Sequence, residues 1–142
     1  MLKNQQLLPS NDELISRLRN WNDDYVVRET ERIKALGEVF TPTYLVREIV
    51  DKLPNKNFED PTYTFLDNSC GNGQFLSEVL IKKLEHGHDF IISLSTIYGV
   101  DIMTDNVIIC QNRLLCGIED LRHIVEKNIV CADALTYDYS FK

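Results

Sequence analysis

The chain has 142 residues, 44% of them hydrophobic and 26% charged, a size and balance that fit one globular domain with its own core. A net charge of −7 and a pI of about 4.9 exclude a chain that grips DNA by its phosphates unaided, because that task needs a basic face. No apolar run approaches the roughly 20 residues that span a bilayer, the N-terminus is polar, and the four cysteines form no C-x-x-C pair, so the expected setting is cytoplasmic, off the membrane, with reduced thiols.

Residues 1–9 carry no pattern. Ser10-Asn11-Asp12-Glu13 reads as a capping box, and Leu14, Leu18, Trp21 and Tyr25 follow at helical spacing. The helix extends to Leu36, with room for a break near Val26-Val27, and Gly37 suits its end. Residues 1–36 therefore form an N-terminal helical segment, and 37–142 the domain that follows. Thr41 is a good N-cap and Pro42 a good first helical residue, with Leu45, Val46, Ile49, Val50 and Leu53 on one face. Pro54 and Asn55-Lys56-Asn57 end that helix, and a loop leads to a strand at 62–66.

A two-glycine loop follows this strand, and Phe75, Leu76, Val79, Leu80 and Leu84 then make a helix face up to Glu85. His86-Gly87-His88-Asp89 is a turn whose histidines have no further ligand nearby to complete a metal site. A second strand covers Ile97–Asp101. A helix capped by Thr104 or Asp105 runs to Gly117, a short helix lies within 119–126, and a third strand covers Ile129–Asp133. Strands separated by helices imply right-handed crossovers and a parallel sheet, an α/β fold.

All three expected strands end in an aspartate: Asp67, Asp101 and Asp133. Ligands of open α/β sheets lie at the carboxyl ends of the strands. Gly71 and Gly73 remove Cβ atoms and let a ligand approach the backbone. Asp101 is placed to accept from ribose hydroxyls, and Asp133 from an exocyclic amine of adenine. The dinucleotide fingerprint fails because Leu76 stands at the third glycine, and no Gly-Lys-Ser/Thr completes a P-loop. Asp67 repels phosphate and suits an ammonium or sulfonium, which points to S-adenosylmethionine. Another α/β nucleotide binder, or acids and glycines with structural roles alone, remains open on residue chemistry.

Asp67-Asn68-Ser69-Cys70-Gly71-Asn72-Gly73-Gln74-Phe75 resembles the D-x-x-C/A-G-x-G-x-F motif of N6-adenine DNA methyltransferases, including the modification subunits of restriction systems. Gly37-Glu38-Val39-Phe40-Thr41-Pro42 is similar to that family's upstream G-x-x-x-T-P segment. Tyr98–Ile102 resembles its ribose-binding strand and Asn128–Ala134 its adenine-contacting one. The resemblance implies a Rossmann-like S-adenosylmethionine-dependent methyltransferase fold with about three strands of an incomplete parallel sheet. It implies that Thr41 contacts the methionine carboxylate end. Asp67, Cys70, Gly71 and Gly73 line the methionine part, and Phe75 lies beside the pocket. Asp101 holds the ribose with Ile102 against the adenine; Asp133 bonds the adenine amine with Ala134 packed near it. Phe75, Ile102 and Ala134 are equally consistent with core positions.

The family's Asn-Pro-Pro-Tyr catalytic loop, which accepts the flipped adenine, has no counterpart among the four prolines Pro9, Pro42, Pro54 and Pro61. The resemblance therefore implies the cofactor-binding portion of a DNA adenine methyltransferase, active once a second chain supplies the catalytic loop and holds DNA. The alternatives are a catalytically inactive module that binds S-adenosylmethionine or a partner, and an RNA or protein methyltransferase relative. In the family's strand order the first strand pairs with a fourth, so the 62–66 strand would carry an unpaired apolar edge. A homo- or hetero-oligomer formed through that edge is expected.

Overall fold

The computed structural model describes residues 7–21 and 41–141; the helix expected beyond Trp21, and Gly37, lie outside them. Helix α1 (Asn11–Arg19) starts where Ser10 Oγ accepts the Glu13 amide at 3.1 Å. Glu13 pairs with Arg17 one turn on. Leu14, Ile15 and Leu18 are buried in the main core. Helix α2 (Thr43–Asp51) begins one residue later than expected. Pro42 occupies the cap position without a side-chain bond, and Thr41 lies half-buried ahead of it. Pro42 itself is extended, with ψ at 143°, so the first helical residue is Thr43.

After a one-turn helix α3 (Lys56–Glu59), strand β1 (Phe65–Asp67) starts late relative to the expected 62–66. Asp60 is the reason: its Oδ1 accepts from the Thr62 amide at 2.9 Å and from Thr62 Oγ1 at 2.8 Å, holding the chain in a turn. Helix α4 (Gln74–Glu85) follows the glycine loop. Asn11 Nδ2 donates to the Leu84 and His88 carbonyls, pinning α1 to the end of α4. After the expected turn at 86–89, Phe90–Ser95, where no element was expected, forms helix α5: Asp89 caps the Ile92 amide at 3.0 Å, and Phe90 and Leu94 are buried. Strand β2 (Ile97–Asp101) is as expected. Helix α6 (Thr104–Leu115) is preceded by Met103 at the cap position, not by Thr104 or Asp105. A 3₁₀ turn (Glu119–Leu121) and helix α7 (Arg122–Asn128) lead to β3 (Ile129–Cys131), which stops short of Asp133.

The three strands form a parallel sheet in the order β1-β2-β3. Phe65, Asp67, Ile97, Gly99, Asp101, Ile129 and Cys131 share one face by register, and Leu66, Tyr98, Val100 and Val130 share the other. Gly99 faces α4, where Leu76 and Cys70 meet it. On the opposite face Phe141 lies against Tyr98 with ring centroids 4.7 Å apart, so residues beyond β3 fold back over the sheet. The Phe65 amide donates to Thr96 on the β2 side, which turns the N–H and C=O of Leu66 to the other edge. Leu66 is 51% exposed there.

Lys83 is 0% exposed, yet it is the one lysine in the core of the described residues. Its Nζ donates to the Tyr63 carbonyl at 2.8 Å and lies 4.9 Å from the Phe65 ring centre, tying α4 to the approach to β1. Burial lowers its pKa to about 8, with the Asp60 charge opposing. The folded pKa lies below the unfolded one, so in the window between them the unfolded chain binds more protons and stability rises with pH. The penalty is present in full below pH 8 and is relieved toward pH 10.5, by up to about 3 kcal/mol. Urea unfolding at the two ends of this window is expected to show that rise in the wild type and lose it in Lys83→Met. Parallel profiles for the two proteins would refute this account of the buried amine.

Candidate functional site

The site is built at the carboxyl ends of the strands, where β1 gives way to residues 68–73. Gly71 and Gly73 both have positive φ, 53° and 90°, so the turn uses backbone that other residues rarely adopt. At Gly73 a Cβ would also stand 2.9 Å from Cys110 Sγ of α6. At Gly99 a Cβ would meet Leu76 Cδ1 at 2.9 Å and Cys70 Sγ at 3.0 Å. The loop is thus seated through two buried thiols: Cys110 of α6 fills the space beside Gly73, and the loop's own Cys70 fills the space beside Gly99 of β2.

Four of the loop amides are turned to acceptors of the protein itself. Ser69 N donates to Asp67 Oδ1 at 3.0 Å, Cys70 N to the Val100 carbonyl at 3.0 Å, Gly71 N to Asp101 Oδ1 at 3.2 Å and Gly73 N to the Cys70 carbonyl at 2.9 Å. A phosphate cradle needs such amides free and pointing at the ligand. Here these four already have acceptors within the protein.

The acids have distinct surroundings. Burial raises the Asp67 pKa, the Ser69 amide partly opposes this, and the nearby Asp101 charge adds to the rise. Asp101 ends β2, half-buried, and its Oδ2 accepts from Met103 N at 3.0 Å and Asn106 Nδ2 at 3.1 Å. The Ala132 amide donates to the Asp101 carbonyl at 3.0 Å, bringing the end of β3 alongside. Asp133 is exposed beyond β3, and its Oδ1 accepts the Leu135 amide at 2.9 Å. The Cys70 thiol is pushed far up by its hydrogen bond with Cys110, then by burial and the charges of Asp101 and Asp67, so it is neutral.

The sequence-derived residues fall into groups. Asp67, Gly71, Gly73 and Asp101 form one connected loop-and-strand-end arrangement. Cys70 belongs to it by backbone, while its side chain, 4% exposed, is turned into the core. Ile102 is 64% exposed beside Asp101. Ala134 is half-buried, and its carbonyl accepts from Tyr139 Oη at 2.7 Å. Phe75, in the first turn of α4, is partly buried against the core. It lines a groove of about 510 Å³ that runs from Asp67, Asn68 and Ser69 along the open edge of β1 to Ile49 of α2 and Leu53 just beyond it.

Gly99, Cys110 and Asn106 were not foreseen. Asn106 carried a readable signal, because it stands four residues before Cys110 on the buried stripe of α6, where a polar side chain needs a partner.

Among the described residues no helix is long and apolar enough to cross a membrane. No curated protein and no solved structure gives a significant match to the chain. The family model for N-6 DNA methylases matches residues 24–141, spanning the glycine loop and all three strands. That match agrees with the parallel α/β sheet and its strand-end acids, a Rossmann-like methyltransferase fold: this chain belongs to the N-6 DNA methylase family.

Proposed function

We propose that the chain is the S-adenosylmethionine-binding portion of a DNA adenine N6-methyltransferase. The observation that carries this reading is the inward-turned loop beside two carboxylates. Four amides that a phosphate would require are spent on the protein itself, while Asp67 and Asp101 set a negative field that suits a cationic ligand.

Asp67 would face the ammonium of the methionine part, and Gly71 and Gly73 would let that part lie against the backbone. Thr41, Cys70 and Phe75 would border its end. Asp101 would accept from the ribose, Asp133 from the adenine amine, and Ile102 and Ala134 would flank the ring. The cofactor supplies a methyl group on a sulfonium, an electrophile that a target amine can attack. The methyl acceptor would be the exocyclic amine of an adenine in DNA, in a cytoplasmic restriction-modification setting.

The open edge of β1 is the proposed point of association, because the N–H and C=O of Leu66 face outward beside an apolar groove. Light scattering at micromolar concentration is expected to report an oligomer; a monomer throughout would count against it.

Calorimetry tests the cofactor. S-adenosylmethionine and S-adenosylhomocysteine are expected to bind, with ATP and NAD failing to compete. Competition by adenine nucleotides with no binding of S-adenosylhomocysteine would overturn the reading.

A further inference from the structure

The Asp101 carboxylate is held by three donors from three places. Gly71 of the loop donates to Oδ1, while Met103 and the side chain of Asn106 donate to Oδ2. Asn106 is in the first turn of α6 and only 3% exposed, so its amide is a buried polar group whose Nδ2 is aimed at the strand-end acid. A carboxylate oxygen offers about two good acceptor directions. Oδ2 is filled by its two donors, and Oδ1 keeps one direction for a ligand.

We infer that Asn106 is a positioning residue: with Met103 it locks the Asp101 carboxylate through Oδ2 and leaves Oδ1 to accept from the ribose. This rests on the cofactor reading above and deepens it. A carboxylate free to rotate would lose alignment each time it turned. One clamped at both oxygens presents its remaining lone pair in a fixed direction, which strengthens the bond it makes to a hydroxyl. Two acids bond to Asn106 itself: Asp101, whose Oδ2 accepts from its Nδ2 at 3.1 Å, and Asp105, whose Oδ1 accepts its backbone amide at 2.8 Å; Asp67 lies near enough to Asp101 to feel its charge. A negative charge placed at Asn106 would therefore meet repulsion from Asp101 and Asp105.

The test is calorimetry of S-adenosylhomocysteine with the full chain as wild type, Asn106→Leu and Asn106→Asp, at pH 5 and pH 8, alongside melting temperatures. Asn106→Leu keeps the volume and removes the donor, and is expected to bind about tenfold more weakly at both pH values. Asn106→Asp is expected to bind at least about tenfold more weakly than wild type at pH 8. At pH 5 it should return to within about twofold, as the introduced carboxyl takes a proton and donates again. A merely structural asparagine would lower the melting temperature without this pH-dependent ratio. If Asn106→Leu does not fold, the ratio of Asn106→Asp to wild type carries the test alone. Variants that bind like wild type at both pH values overturn the inference and leave the cofactor reading standing. A wild-type chain that binds no S-adenosylhomocysteine overturns the cofactor reading, and the inference with it.

Discussion

Replacing Gly73 with alanine is expected to cost about 3 kcal/mol of stability, combining roughly 1–2 for left-handed backbone and roughly 1–3 for overpacking. The added Cβ would sit 2.9 Å from Cys110 Sγ with φ at 90°, so neither term can be avoided by a small shift of the other. Against a total of roughly 5–15 kcal/mol for a domain, that is a large fraction, and the melting temperature should fall by about 10 °C. The two causes separate in a double-variant cycle. Cys110→Ala removes the sulfur, so Gly73→Ala should cost less in that background, by the steric share alone, while the backbone share persists. A loss below about 0.5 kcal/mol for the single variant, or no coupling to Cys110, would refute the proposed seating of the loop on the thiol.

Asp101→Ala is expected to weaken S-adenosylhomocysteine binding by about 100-fold, with an accompanying stability loss of about 2 kcal/mol. The first effect comes from losing the acceptor proposed for the ribose. The second comes from leaving the Gly71 and Met103 amides and the Asn106 side chain without their shared acceptor. Asp101→Asn keeps the shape but can present a donor to at least one of those donors, so it should fall between the two. Calorimetry and urea unfolding on the same three proteins check both effects. A variant that loses stability while retaining affinity would place Asp101 in the loop's architecture alone.

The acids at or just beyond the three strand ends, the glycine loop and the order of helices and strands were legible because each is local: a few adjacent residues carry it. Boundaries were less so. Strand β1 begins late because the Asp60 carboxylate competes for the Thr62 amide, and α5 forms because Asp89 caps a short apolar run that also reads as loop. What the loop rests on was not legible at all. Gly99 and Gly73 are restricted by Cys70 and Cys110, and Lys83 finds its acceptor at Tyr63. Such partners lie a turn of fold away, not a turn of helix, and no spacing rule joins them. The same holds for Asn106, whose burial could be suspected from its stripe but whose acceptor is given only by the sheet.

The inward-turned amides also bear on the thermodynamics of association. A loop that already satisfies its own hydrogen bonds has little left to freeze when a ligand arrives, so the ordering cost falls mainly on the ligand's flexible tail. The binding entropy should then track the number of rotatable bonds in the ligand. Adenosine, which has few, would bind with a smaller entropic penalty than S-adenosylhomocysteine even where its enthalpy is poorer.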